Sequence, residues 1–199
     1  MLNVYLLRHG QTSWNADGNR YCGRTDLPLT GLGTEQANAV FKQLTSISFN
    51  AVYSSPLQRA FKTAQIASGN KEVIKDQRLI EADFGNWEGK TREQFMEEDP
   101  LLWDAWSNDP TKTKAGGTGE TAMEVIERVD TFFSSLLQEK VSGNILVVAH
   151  NAVNRFYLAY KLGMKIKDYR KLVQENSTIT LFQLDDHGEL TLYHLNSKM

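Results

Sequence analysis

The sequence has little cysteine, no long apolar run and no basic N-terminal region, and these features exclude several classes of protein. The 199 residues contain one cysteine, Cys22, so no disulfide can form within the chain, which is typical of a reducing compartment. The apolar runs are far shorter than the ~20 residues that a membrane-spanning helix requires. The N-terminus also lacks the basic region of a signal peptide. We therefore expect a cytoplasmic protein without a membrane partner.

The sequence also has no excess of basic residues. Its 22 Lys and Arg against 24 Asp and Glu leave a net charge of −2, and the pI is about 6.1. A nucleic-acid-binding domain is usually basic, so no nucleic-acid partner is expected. Any positive charge that an anionic ligand needs must therefore be concentrated locally.

Short apolar runs alternate with helical patterns along the chain. Residues 4–7, 51–54 and 145–149 are typical of buried strands, whereas residues 31–44 and 153–162 have helical spacing. This alternation predicts an α/β fold, a three-layer α/β/α sandwich around a mostly parallel central sheet. The length predicts a single domain over residues 1–199.

Two of the predicted strands end on histidine. Arg8 and His9 follow the first strand, and His150 follows the strand over residues 145–149. Arg59 follows the strand over residues 51–54, in the predicted first turn of a helix, where an anion is favoured. Because ligands of such sheets bind beyond the carboxyl ends of the strands, we expect these side chains to share one site.

These residue types suit phosphoryl transfer. Neutral imidazole is a competent nucleophile, and arginine binds phosphate oxygens through two parallel hydrogen bonds. Arg8, Arg59 and a protonated His150 would supply positive charge, and that charge would disfavour protonation of His9. A carboxylic acid would donate a proton to the leaving oxygen. Together they predict a phosphatase in which His9 accepts the phosphoryl group.

Four ordered motifs carry a resemblance to a known family. They are L-R-H-G-Q-T-S-W-N (residues 7–15), S-S-P-L-Q-R-A-F-K-T-A (54–64), R-L-I-E-A-D-F-G-N-W-E-G (78–89), and His150 followed by Arg155. This set resembles the histidine phosphatase superfamily, in its phosphoglycerate-mutase-like branch. The resemblance implies that fold with a small helical cap, here around residues 84–119. It also implies a small phosphate ester as substrate, with no metal and no cofactor.

The resemblance also implies a role for each matching residue. His9 would be the phosphorylated nucleophile and Glu81 the general acid and base. The remaining matched positions would contact the phosphoryl group or orient His9, namely Arg8, Asn15, Cys22, Gly23, Arg59, His150 and Asn151. Cys22 departs from the family's small hydroxyl residue, and Asn151 from a common glycine. Phe84 lacks the hydroxyl of a mutase tyrosine, which favours hydrolysis.

The residues leave several alternatives open. His9 and His150 could be buried structural histidines or zinc ligands, although no further metal-binding motif accompanies them. Glu88 or Asp83 could replace Glu81 as the acid. Cys22 could be an inert small residue or a reactive thiol. The tryptophans at positions 87, 103 and 106 could line the pocket or pack a cap.

The function itself also has alternatives at this stage. A phosphoglycerate mutase and a non-catalytic module that binds a phosphorylated ligand both use such residues. Among phosphatases, the sequence does not separate an α-ribazole phosphate, a sugar phosphate or a broad range of substrates. It equally leaves open whether the chain forms a homodimer.

Overall fold

A computed structural model describes residues 1–198, which form α-helices around one mixed sheet. The strands are β1 (Leu2–Arg8), β2 (Ala51–Ser54), β3 (Ile74–Lys75), β4 (Gly143–Ala149), β5 (Ile179–Leu184) and β6 (Leu190–Ser197). Their order across the sheet is β3-β2-β4-β1-β5-β6. β3, β2, β4 and β1 pair in parallel, β5 pairs antiparallel with β1, and β6 pairs antiparallel with β5. The predicted mostly parallel sheet is therefore confirmed.

Helices cover both faces of this sheet. They are α1 (Ser13–Ala16), α2 (Gly31–Leu44), α3 (Gln58–Ala67), α4 (Arg92–Glu98), α5 (Pro100–Asn108), α6 (Ala122–Gln138) and α7 (Asn151–Lys161). Val4 and Leu6 of β1 pack in the core that contains α6 and α7. Tyr5 and Leu7 pack in a second core with α2 and α3. Because alternate residues of one strand enter different cores, the predicted three-layer sandwich is confirmed.

The register of β1 and β4 positions the two histidines. Arg8 lies opposite Ala149 in this parallel pair. The backbone N–H of His9 then donates to the carbonyl oxygen of Ala149 across 3.1 Å. His9 and His150 therefore leave the sheet side by side at its carboxyl edge.

The start of α3 differs from the sequence pattern. Ser55-Pro56-Leu57-Gln58 resembles a capping box, but the helix begins at Gln58, and the side chain of its N-cap residue, Leu57, has no atom that could accept a capping hydrogen bond. Instead, the carboxylate of Asp26 accepts from the backbone N–H of Gln58 across 2.8 Å. A distant acidic residue thus caps the helix that carries Arg59.

Two other elements differ from their predicted extent. A third strand is expected over residues 73–79, but β3 contains only Ile74–Lys75 and a 3-10 helix, Gln77–Leu79, follows it. Gly143 and Asn144 read as a turn, whereas they are the first residues of β4. In both places a polar residue or a glycine stands at the end of the strand, so the sequence pattern does not determine where the strand begins or ends.

The segment 84–119 contains α4, α5 and two 3-10 helices, Gly85–Trp87 and Ala115–Gly117. Trp87 stacks on Phe95 with ring centroids 4.5 Å apart, and Trp106 meets Trp87 edge-on. These two tryptophans are almost wholly buried. Of the two roles open to them, they take the packing role. Within residues 1–198, none of the helices combines the length and apolar character of a membrane span.

Candidate active site

A cavity of about 480 Å³ opens at the carboxyl edge of β1 and β4. Six of the predicted site residues line it, namely Arg8, His9, Asn15, Cys22, Glu81 and Asn151. Arg59 and His150 are fully buried beside it and do not reach its surface. Gly23 is also absent from the lining. The fold therefore gathers nearly all of the predicted residues around one cavity.

The ring of His9 is held in one tautomer. Its Nδ1 lies 2.7 Å from the carbonyl oxygen of Gly10. A carbonyl oxygen can only accept, so Nδ1 carries the proton and Nε2 keeps its lone pair. Burial, and then Arg59 and Arg8, hold the pKa of His9 well below its ordinary value. At neutral pH the ring is therefore uncharged, as the predicted nucleophile must be.

His150 lies against His9, with ring centroids 5.1 Å apart. Neither of its ring nitrogens has a hydrogen-bond partner among residues 1–198. Burial, followed by Arg59 and His9, lowers the pKa of His150 well below its usual range. This favours a neutral His150 ring, where the sequence led us to expect a protonated one. The neutral ring still has one N–H to offer a phosphoryl oxygen.

Arg8 and Arg59 approach His9 from different elements. Arg8 donates through Nη1 to the carbonyl oxygen of Gln174 across 2.9 Å. Burial and then the charge of Arg155 lower the pKa of Arg8 to about 10. The Nε atoms of Arg8 and Arg59 are buried without a hydrogen-bond partner among residues 1–198. Each arginine thus retains a donor for an anion.

Arg59 also holds a loop in place. Its Nη1 donates to the carbonyl oxygen of Thr25 at 2.8 Å, and its Nη2 to those of Gly23 at 2.8 Å and Cys22 at 3.2 Å. These charge-assisted bonds tie residues 22–25 to α3. Arg59 is therefore both a source of positive charge and a structural tie.

Glu81 is buried with its carboxyl group against the N-terminus of α7. Its carboxylate oxygens accept from the backbone N–H groups of Ala152 and Val153, each at 3.2 Å. Such bonds favour the charged form, but burial is the larger effect and raises the pKa of Glu81. A carboxyl group with a raised pKa beside a nucleophile is suited to proton donation.

The two other candidate acids have structural partners instead. Glu88 accepts from the backbone N–H groups of Gly23 at 2.9 Å and Thr25 at 3.0 Å. Asp83 accepts from the N–H of Gly85 at 2.8 Å. Neither Glu88 nor Asp83 lines the cavity. The geometry therefore favours Glu81 as the acid.

Asn15 and Cys22 sit at the cavity wall. The side-chain oxygen of Asn15 accepts from the N–H of Thr12 at 3.1 Å and so caps α1. The thiol of Cys22 lies 3.5 Å from the carbonyl oxygen of Thr25. Burial raises the pKa of Cys22 to about 11. This thiol stays protonated at neutral pH, which favours the inert role over the reactive one.

Gly23 permits a close approach of two backbones. Its N–H donates to Glu88, so it is not free for a phosphate. A Cβ at this position would lie 2.4 Å from the carbonyl oxygen of Ala82 and 2.7 Å from the carboxylate of Glu88. The predicted contact of Gly23 with a phosphoryl group therefore has no support in this arrangement, whereas a packing role does.

Gly23→Ala is expected to lower the free energy of unfolding by about 1–3 kcal/mol, because the methyl group must displace backbone next to Glu81. Chemical denaturation of the variant and the parent would measure this difference. Gly31→Ala is the matched control, since a Cβ at Gly31 meets no atom within 4 Å. Equal stability of the two variants would contradict the packing role.

Sequence reasoning missed Asn176 and Gln174, which precede β5. The side-chain amide of Asn176 donates to the carbonyl oxygen of His9 at 2.9 Å and to Asn15 at 3.3 Å. Gln174 contributes the carbonyl oxygen that Arg8 contacts. The available signal was topological: an antiparallel strand beside β1 begins at the edge where β1 ends.

Known proteins are similar in sequence to this chain over most of its length. Residues 4–197 match the family described as histidine phosphatase superfamily (branch 1). Phosphoserine phosphatase 1 of Hydrogenobacter thermophilus is 31% identical over 194 residues, which cover 96% of this chain and 91% of that protein. The adenosylcobalamin/alpha-ribazole phosphatase of Escherichia coli is 34% identical over 172 residues, 82% of this chain and 80% of the relative.

Solved structures share the fold. A mutant of phosphoserine phosphatase from Entamoeba histolytica, in complex with phosphoserine, has a TM-score of 0.90 at 31% identity and covers 100% of this chain and 98% of its own. A putative alpha-ribazole-5'-P phosphatase from Escherichia coli has a TM-score of 0.86 at 31% identity, with 99% and 97% covered. The resemblance of the four motifs is thus confirmed, and the chain belongs to the histidine phosphatase superfamily, branch 1.

Proposed function

We propose that the chain hydrolyses phosphate monoesters of small metabolites through a phosphohistidine intermediate on His9. One observation carries this proposal. The Nδ1–H of His9 is bound to the carbonyl oxygen of Gly10, which leaves the Nε2 lone pair at a cavity that Arg8 and Glu81 also line. A nucleophile, a cation and a proton donor therefore meet around one space large enough for a small ester.

The first step transfers the phosphoryl group to the enzyme. Nε2 of His9 forms a bond to phosphorus while the bond from phosphorus to the ester oxygen breaks. Glu81 gives its proton to that oxygen, so the alcohol leaves uncharged. Arg8 in the cavity wall stabilises the charge on the three remaining phosphoryl oxygens, and the buried Arg59 and His150 beside His9 add a positive charge and an N–H from behind the wall.

The second step returns the enzyme to its starting state. Water attacks phosphorus as the bond to Nε2 of His9 breaks, and the Glu81 carboxylate takes one proton from that water. Inorganic phosphate leaves, with His9 neutral and Glu81 protonated again. The same carboxyl group thus serves as acid and then as base, as microscopic reversibility requires.

A mutase would transfer the phosphoryl group from His9 to a second hydroxyl group of the substrate. Phe84 lines the cavity and has no hydroxyl group with which to orient such a transfer. This supports water as the acceptor. A non-catalytic binding module is disfavoured because the nucleophile, the acid and the arginines are all present in the cavity wall or beside it.

The test is the fate of 3-phosphoglycerate, a substrate that both activities can use. We expect inorganic phosphate to be released without formation of 2-phosphoglycerate, because Phe84 has no hydroxyl group with which to orient a second acceptor. NMR of the phosphorus nuclei would follow both products. The rate should be unchanged by EDTA, since the steps use side chains of the protein alone. Isomerisation without phosphate release, or a loss of rate that added metal restores, would contradict the proposal.

The proposal extends to the substrate, the domain organisation and the location of the protein. Relatives named for phosphoserine and α-ribazole phosphate support a small phosphorylated metabolite as the substrate. The single sheet supports one domain, with the segment 84–119 as a cap beside the cavity. A lone cysteine supports a cytoplasmic location. Sedimentation would decide between a monomer and a homodimer.

A further inference from the structure

The segment that carries Glu81 has little regular structure of its own. Residues 81–84 belong to no helix or strand and lie between the 3-10 helices Gln77–Leu79 and Gly85–Trp87. The backbone N–H and carbonyl oxygen of Glu81 have no backbone hydrogen-bond partner among residues 1–198. Its carboxyl group nevertheless has a defined place against the N-terminus of α7. Groups outside the segment must therefore determine the path of its backbone.

Arg128 of α6 holds one end of this segment. Its Nη1 donates to the carbonyl oxygen of Arg78 across 2.7 Å. Its Nε and Nη2 donate to the two carboxylate oxygens of Glu120, at 3.1 and 3.2 Å. Two parallel bonds of this kind give an arginine and a carboxylate a well-defined mutual geometry. One guanidinium group therefore joins α6, the backbone before Glu81 and a carboxylate.

Glu120 holds the other end of the segment. Its Oε2 accepts from the backbone N–H of Asp83 across 2.9 Å, and its own N–H donates to the carbonyl oxygen of Asp83 across 2.9 Å. The segment 84–119 begins directly after Asp83 and ends directly before Glu120, so these two bonds also close the base of the cap. Glu81 thus lies between two points, at residues 78 and 83, that are fixed by the same ion pair.

The ion pair is shielded from solvent and stays charged. The side chains of Arg128 and Glu120 are 16% and 20% exposed. Burial alone would raise the pKa of Glu120, but the hydrogen bonds and the charge of Arg128 outweigh it and lower that pKa. Oε2 of Glu120 also accepts from Arg24 at 3.0 Å. The ionised carboxylate therefore connects the segment of Glu81 to the loop at residues 22–25 as well as to α6.

We propose that Glu120 and Arg128 are positioning residues for proton donation by Glu81. Neither residue lines the cavity, so neither is placed to touch a substrate there. They act by fixing the backbone on both sides of Glu81, and thereby the direction in which its carboxyl group points. This inference rests on the proposed phosphatase mechanism and adds to it a support outside the cavity. A displacement of about 1 Å at a catalytic group can cost ~10²-fold in rate, so loss of the pair should slow the step that needs the proton.

The experiment compares an alkyl phosphate, whose alkoxide must be protonated, with p-nitrophenyl phosphate, whose leaving group departs as an anion. The alkyl phosphate is glycerol 2-phosphate or O-phosphoethanolamine, whichever the parent protein hydrolyses faster. We expect Arg128→Met to lower kcat for the alkyl phosphate by ~10–100-fold. The kcat for p-nitrophenyl phosphate should stay within about threefold of the parent, which shows that the chemistry at His9 is intact. Glu120→Gln keeps one acceptor oxygen, so it should lower the same ratio by a smaller factor, and it tests the proposal even if Arg128→Met does not fold.

A double variant shows whether the ion pair acts through Glu81. In Glu81→Gln the proton donor is already lost, so the addition of Arg128→Met should slow the alkyl phosphate by less than about threefold further. A group that only stabilises the fold would slow Glu81→Gln as much as it slows the parent. Lys161→Met is the matched control, because Lys161 pairs with Asp130 of α6 at 3.7 Å and is 17% exposed. It should leave the ratio of the two rates unchanged.

Three results would overturn the positioning role and leave the phosphatase standing. They are an unchanged ratio in both single variants, equal slowing of both substrates, and independent effects of Arg128→Met and Glu81→Gln in the double variant. Hydrolysis of p-nitrophenyl phosphate but of neither alkyl phosphate by the parent protein would overturn proton donation by Glu81, and the positioning role with it. Release of phosphate from none of the three substrates would overturn the phosphatase activity itself.

Discussion

His9→Ala is expected to reduce the turnover of every phosphomonoester by ~10³-fold or more. The methyl group cannot form a bond to phosphorus, and no other side chain in the cavity is placed to replace it. His150 is the nearest imidazole, with its ring centroid 5.1 Å from that of His9, but it is fully buried and is not among the residues that line the cavity. Phosphate release under saturating substrate would measure the loss.

The same variant should fail to form a phosphoenzyme. Brief exposure of the parent protein to labelled substrate is expected to leave an acid-labile, base-stable label, as phosphohistidine does. His187→Ala is the matched control, because His187 is exposed in the turn before β6. It should keep both turnover and label. His9→Gln would separate loss of the nucleophile from loss of packing. Full turnover in either His9 variant would disprove the mechanism.

Glu81→Gln is expected to slow esters of poor leaving groups by ~10²–10⁴-fold, because the amide cannot donate the proton that the alkoxide needs. The effect should be much smaller for p-nitrophenyl phosphate, whose leaving group departs readily as an anion. The ratio of the two rates therefore reports proton donation and not general damage to the site. Glu93→Gln, which changes an exposed carboxyl at the same cavity, should leave the ratio unchanged.

The pH profile of the parent protein follows from the same two groups. Glu81 must be protonated at the start, so kcat/KM should fall as the pH rises through the raised pKa of its carboxyl group. His9 must be unprotonated, and its lowered pKa keeps it so into the acidic range. Activity is thus expected to be greatest on the acidic side of neutrality. In Glu81→Gln, the decrease of kcat/KM at high pH should disappear for alkyl esters. If that decrease remains, the titration of another group causes it.

Much of this site could be predicted because it depends on strand ends. The apolar runs before His9 and His150 identify two buried strands, and the carboxyl ends of parallel strands must share an edge. The register of those strands then places the two rings 5.1 Å apart without any further information. Arg59 followed from the same rule through the strand before α3.

The remaining features depend on contacts between distant parts of the chain. Asp26 caps α3 from 32 residues away. Asn176 contacts the carbonyl oxygen of His9 from 167 residues away. No local pattern encodes such pairs, because neither residue has a neighbour in sequence that reveals its partner. The lowered pKa of His150 could not be anticipated for a related reason, since its burial and its closeness to Arg59 are properties of the folded protein.

The hydrogen bonds of Arg59 have a consequence for how relatives can diverge. Because Arg59 donates to the carbonyl oxygens of Cys22, Gly23 and Thr25, its loss would release that loop even in a protein that no longer catalyses anything. Among residues 1–198, the side chain of His9 is hydrogen-bonded only to the adjacent Gly10. Replacement of the histidine would therefore break no side-chain hydrogen bond to a distant part of the described chain, whereas replacement of the arginine would break three. In this chain, the identity of residue 9 therefore bears on activity, whereas Arg59 also bears on the integrity of the loop at residues 22–25.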